Sequence, residues 1–326
     1  MIKLPYTFRN KITVESETYK DYVKTELHRL KEKPGSLETI IRLENTLSSP
    51  APSSNDFLID HFIAADGQTI RFNKWNPKNT EHIFIFLNGL ESHAGWFSSM
   101  AADFAKNDIA TYALDRRGSG LNSKNTGKYR QWISDVFELT KIAKHQNPNT
   151  KTHLVSICFG AKLATACAIK QPDEFDSLIY MSPGISVKVT PTPLEKLLIA
   201  LDALSPFSFN IPSPIKDDEM FTDSPDALYF LYKDKLRTHS PRASDFYQAR
   251  KLNAYILKNL NKIKTPSLVL LAEKDQILNL EKTKRIFASF TKKPKTIIYP
   301  NSQHVIFFAE AKQKLESDIL DYIQKP

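Results

Sequence analysis

The chain has 326 residues, 45 basic and 36 acidic side chains and a net charge of +9, with 41% hydrophobic and 25% charged residues, which suits a globular protein of one large domain with an insertion. The positive charge is scattered, with no basic block interleaved with aromatics, so no nucleic-acid partner is expected; weak contact with an anionic membrane surface or an acidic carrier protein stays open. No apolar run reaches the roughly 18 residues of a transmembrane span, the opening MIKLPYTFRNK lacks an apolar signal region, and Cys158 and Cys167 sit too close together to staple a fold, so a cytoplasmic, reducing location is expected.

Residues 1–55 read as an N-terminal extension. Tyr19 to Lys31 and Leu37 to Leu47 have helical spacing, with a break at Lys33 to Gly35, and Ser48 to Asp56 reads as a linker. The rhythm then changes. FLIDHF and QTIRFNKW alternate around Asp66 and Gly67 and predict a hairpin, whereas Ile83 to Leu87 is a continuous apolar run, as in a strand buried on both faces. A helix is predicted over Ala94 to Lys106, a strand over Ala110 to Leu114 and a helix over Tyr129 to His145. Thr152 to Ser156 is a short apolar strand, and from Gly160 the residues Leu163, Ala164, Cys167 and Ala168 take up helical spacing. Further strands follow at Leu178 to Ser182, Ser267 to Leu271 and Thr296 to Pro300. This alternation predicts an α/β fold: a mostly parallel central sheet with helices on both faces and a ligand site at the carboxyl ends of its strands. Residues 56–184 and 253–326 are then two parts of one core. Between them, residues 185–252 are rich in proline and aromatics and read as a helical cap insertion. Leu194, Leu197, Leu198, Leu201 and Leu204 form a stripe there, either core or, above a site, the wall of an acyl-chain pocket.

Cys158 stands where the strand turns into the helix. One nucleophile between small residues at such a turn is the pattern of a nucleophile elbow, G-x-S-x-G, here with a thiol as nucleophile and Ser156 at the first glycine. Cys167, on the apolar face of the same helix, reads as a core residue. Asp275 follows the strand ending at Leu271, and His304 follows the strand ending at Pro300. The order Cys158, Asp275, His304 is nucleophile, acid, base, each at a strand end. In such a triad His304 takes the thiol proton and Asp275 fixes the imidazole tautomer; a thiol beside histidine at a helix N-terminus ionises more readily than a free one. The amides of Phe159 and Leu90 are the candidate oxyanion donors. Asn88, His93, Leu194, Leu198 and Leu201 are candidate substrate-pocket residues. The histidines show no metal-ligand spacing, and no cofactor is expected.

From about Phe57 onward the chain resembles the monoacylglycerol lipase and lysophospholipase branch of the α/β-hydrolases. NGLESH (Asn88 to His93) matches that branch's H-G-x-G-E-H loop, with Asn88 for the first His, Glu91 for the second Gly and His93 for the last His. ALDRRGSGLNS (Ala113 to Ser123) matches D-x-R-G-x-G-x-S, and AEKDQI and NSQHVIF match the acid and base loops. The resemblance implies the α/β-hydrolase fold and action on acyl esters. Cys158 departs from the family's serine. An enzyme thiolate leaves more readily than an alkoxide, so an alkyl ester adduct tends to collapse back, whereas a thioester sets two thiolates on even terms. The expected reaction is hydrolysis of an apolar acyl thioester or activated ester, free or carried on coenzyme A or a carrier protein, through an acyl-thioenzyme. An acyltransferase or cyclase using the same intermediate and a non-catalytic relative binding an apolar ligand are the alternatives.

Overall fold

A computed structural model describes residues 57–202 and 209–324; the helices expected at Tyr19 to Lys31 and Leu37 to Leu47, and Leu204, lie outside them. The alternating stretches pair as an antiparallel hairpin, β1 (Phe57–Ile63) with β2 (Thr69–Trp75), turned at Asp66 and at Gly67, whose φ of +79° suits glycine. The apolar runs become β3 (His82–Leu87), β4 (Ile109–Leu114), β5 (Lys151–Cys158), β6 (Ser177–Pro183), β7 (Ser267–Ala272) and β8 (Lys295–Tyr299). They form one eight-stranded sheet in the order β1-β2-β4-β3-β5-β6-β7-β8, parallel from β4 to β8.

Strand periodicity divides the core in two. Ile83 and Ile85 of β3 face one side and Phe84 and Phe86 the other, all fully buried. The first side is covered by α2 (Tyr129–Gln146), α3 (Gly160–Lys170), α6 (Ala243–Lys258) and α7 (Leu280–Ala288), through Trp132, Leu163, Cys167, Leu252, Ile256 and Phe287. The second is covered by α1 (Ser98–Ala105) and α8 (Lys312–Gln324), through Met100, Phe104, Leu315 and Ile319. Cys167 has no exposed surface, and burial pushes its thiol pKa up. The stretch expected as one helix from Ala94 is a 3-10 turn over Ala94–Phe97 followed by α1.

Between β6 and β7 the insertion carries α4 (Pro193–Asp202), α5 (Pro225–Lys233) and α6. The core boundary expected at residue 252 falls inside α6, which runs on to Lys258 because Leu252 and Ile256 are both core residues. The leucine stripe of α4 requires a correction. Leu194, Leu197 and Leu201 are 66%, 55% and 48% exposed, so the stripe is not core, while Leu198 is half-buried. Among the described residues the helix α4 mainly packs against is α6, and one such neighbour cannot cover so broad a stripe. Among the described residues no helix is long and apolar enough to cross a membrane.

Candidate active site

The order of strands reverses at β3, which lies between β4 and β5, so the loops leaving β3 and β5 meet at the carboxyl edge of the sheet. Cys158 ends β5 at φ +48°, a left-handed conformation that a side chain-bearing residue adopts at a cost of order 1–3 kcal/mol. The surroundings enforce it. A Cβ on Gly160 would stand 2.7 Å from the carbonyl carbon of Leu87 and 2.9 Å from the oxygen of Asn88, so α3 can start against β3 only with glycine there. Gly184, just past β6, donates its N–H to the Cys158 carbonyl at 2.7 Å, and a Cβ on it would come within 2.8 Å of the Cys158 carbonyl carbon. Ser156 fits the elbow because its buried hydroxyl donates to the Ile179 carbonyl of β6 at 3.2 Å.

His304 lies between β8 and α8 and is 1% exposed. Its Nδ1 is 2.7 Å from Asp275 Oδ2, and Asp275 Oδ1 accepts from the N–H groups of Ile277 and Leu278 at 2.8 and 2.9 Å, so the carboxylate is held on both sides. The Nε2 is buried and makes no aligned hydrogen bond; Cys158 is the neighbouring group that, with Asp275, acts on the ring. Burial disfavours a charged imidazole, but Asp275 and Cys158 outweigh it and push the His304 pKa up to about 10. Unfolded, the ring titrates near 6.5, so between these values the folded chain holds a proton that the unfolded chain has released. The resulting stability is fully present below pH 6.5 and is lost as pH rises through 10. The melting temperature of the wild type should therefore fall over this range more steeply than that of His304→Gln, measured by circular dichroism; equal slopes would refute it.

The loop after β3 lies against the thiol: a Cβ on Gly89 would be 3.4 Å from Cys158 Cβ. Gly89 donates its N–H to Ser92 Oγ at 2.7 Å, whereas no hydrogen bond from the N–H of Leu90 or Phe159 is found among the described residues. The arrangement thus brings together a thiol, a carboxylate-held imidazole and two uncommitted amides. The Phe159 ring is buried, with the Arg116 guanidinium 5.0 Å from its centroid.

Two pocket expectations are corrected here. Asn88 is 1% exposed; its amide donates to Ser92 O, Gly89 O and Ser119 Oγ and accepts from the Arg116 N–H, so it braces the loop rather than lining a pocket. His93, 2% exposed, accepts from the Gly95 N–H at 3.0 Å through Nδ1 and pairs with Asp234 Oδ1 at 3.0 Å through Nε2. Trp96 Nε1 donates to the other Asp234 oxygen at 2.7 Å, so the insertion is pinned to this loop. The sequence reading missed Glu91, Asp234 and Arg237. Glu91 is 2% exposed and paired with Arg237; the signal available was a charge where the family loop has glycine. Among the described residues no cluster of three His, Cys, Asp or Glu side chains could hold a metal.

Comparison with known proteins agrees with this fold. The family described as serine aminopeptidase, S33 matches residues 78–311. The chain is 20% identical over 263 residues to a monoacylglycerol lipase of Mycolicibacterium smegmatis, covering 79% of this chain and 93% of that protein. It is 23% identical over 220 residues to a monoglyceride lipase homolog of Monkeypox virus, covering 65% and 78%. Among solved structures, a soluble variant of monoglyceride lipase from Saccharomyces cerevisiae aligns with a TM-score of 0.72 at 14% identity, over 84% of this chain and 97% of that one. The monoacylglycerol lipase of Paleococcus ferrophilus aligns at 0.67 and 18% identity, over 78% and 98%. The fold expected from the motifs is the fold found.

Proposed function

The chain belongs to the serine aminopeptidase S33 family of α/β-hydrolases, and we propose that it is an acyl hydrolase in which Cys158 takes the place of the serine nucleophile, acting on thioesters or activated esters of an apolar acyl chain. The observation that carries this reading is the placement of Cys158 at a left-handed turn beside an imidazole whose Nδ1 is held by Asp275 at 2.7 Å. The similar proteins are named for monoacylglycerols, which are alkyl esters; the change from oxygen to sulfur shifts the preferred substrate.

Asp275 and the sulfur favour a protonated His304, and Cys158 attacks as the thiolate: sulfur bonds to the acyl carbon, and the carbonyl electron pair moves onto oxygen, where the amides of Leu90 and Phe159 receive it. When the tetrahedral adduct collapses, the bond to the leaving thiolate breaks and the His304 imidazolium gives its proton to that group. A water, deprotonated by the now neutral His304, then attacks the acyl-thioenzyme; collapse releases the carboxylic acid and restores the Cys158 thiolate beside protonated His304. Asp275 keeps Nε2 turned toward the reacting atoms throughout.

The test is intact-protein mass spectrometry after mixing with octanoyl-coenzyme A, with 4-nitrophenyl octanoate and with monooctanoylglycerol. A single octanoyl addition from the thioester is expected on the wild type and none on Cys158→Ala, with a weaker or absent signal from the glycerol ester. No adduct, together with no iodoacetamide labelling at neutral pH, would leave a non-catalytic relative that binds an apolar ligand. An adduct that persists in water and clears only with an added amine or alcohol would identify an acyltransferase.

A further inference from the structure

A second buried charged cluster lies beside the proposed oxyanion loop, and it joins that loop to the insertion. Arg237, 7% exposed, donates through Nε to Glu91 Oε2 at 2.8 Å, with Nη2 2.7 Å from the same oxygen. On its other side Nη1 forms an ion pair with Asp218 at 2.7 Å, without hydrogen-bond alignment, and the guanidinium lies 5.1 Å from the ring centroid of Phe221. Phe221 is itself anchored at the base loop, where the Val305 N–H donates to its carbonyl at 2.8 Å. Glu91 is bound from the insertion by two further contacts: Ser213 Oγ donates to Oε1, and the Thr238 N–H donates to its carbonyl at 2.9 Å. Glu91 directly follows Leu90, so these bonds fix the peptide on the far side of the proposed donor amide.

We infer that Arg237 is a positioning residue: its planar fork, set against Asp218 and Phe221, holds Glu91 and thereby aims the Leu90 N–H at the acyl oxygen. This rests on the thiol-hydrolase reading above. The chemistry calls for an arginine because one guanidinium spans both carboxylates in a fixed plane, whereas a lysine ammonium is a point charge on a flexible stem whose donors rotate and do not fix direction. Oxyanion stabilisation needs donors within about 2.7–3.1 Å of the position the oxyanion takes, and loss of one donor lowers the rate about 10²–10³-fold; a misaimed donor forfeits part of that.

The experiment compares two reactions of the same thiol. Acylation by octanoyl-coenzyme A needs the oxyanion donors; alkylation by iodoacetamide forms no oxyanion and does not. Arg237→Lys and, independently, Glu91→Gln are expected to lower the acylation rate constant by about 10–100-fold, a fraction of the donor loss, with half-saturation by the thioester within threefold of wild type. Alkylation should stay within twofold, and circular dichroism should show an intact fold. If either folded variant acylates within threefold of wild type, or if alkylation falls as far as acylation, the inference is overturned. A wild type that alkylates but never acylates overturns the thiol-hydrolase reading itself, which separates the two failures.

Discussion

Replacing Asp275 with Asn is expected to cut thioester turnover by about 10⁴-fold while leaving the fold intact. The fold should survive because the Asn carbonyl can still accept from the N–H groups of Ile277 and Leu278, which shape the loop in the wild type. The chemistry should not survive, because the position of Oδ2 is then filled by an NH₂ group facing His304 Nδ1. An amide donating to Nδ1 places the ring proton on Nε2, where it can no longer accept one from Cys158. The charge that helps hold the imidazole protonated is also removed. Single-turnover acylation by octanoyl-coenzyme A, with melting measured in parallel, checks both halves. A loss of less than tenfold in a folded variant would remove Asp275 from the proposed triad.

The second large effect is structural. Gly160→Ala should destabilise the protein by about 3 kcal/mol, because the new methyl meets backbone of β3 and its loop rather than a movable side chain. Relief requires α3 to move away from Leu87 and Asn88, and that movement carries the Cys158 turn with it. The midpoint of urea unfolding should therefore fall, and acylation should fall with it even where the variant is fully folded. An unfolding free energy within about 1 kcal/mol of wild type would mean that the helix start is softer than its packing implies.

Much of this architecture is legible in the sequence because it obeys short-range rules. The continuous run from Ile83 to Leu87 marks a strand covered on both faces, and the structure divides its residues between the two halves of the core. The change of period around Cys158 marks the turn, and Asp275 and His304 are found at the strand ends where the pattern expects them. Their separate roles remain the proposal made above. What escaped the sequence reading depends on partners far away in the chain. Asn88 looks available for substrate until Arg116 and Ser119, 28 and 31 residues on, are seen to occupy its amide. His93 is claimed by Asp234, 141 residues on, in the insertion. The leucines of α4 show the same limit in another form: an amphipathic pattern reports that a face is apolar, not what covers it.

The edge position of β8 bears on the life of the chain before it is complete. His304 follows β8, and β8 has β7 as its strand neighbour in the sheet. Domains fold as units during synthesis, so the Cys158 turn and the loop bearing the imidazole are brought together only once β8 has joined β7. On the reading proposed above, a nascent chain stalled before β8 would carry the thiol without its base, and acylation would wait for that pairing.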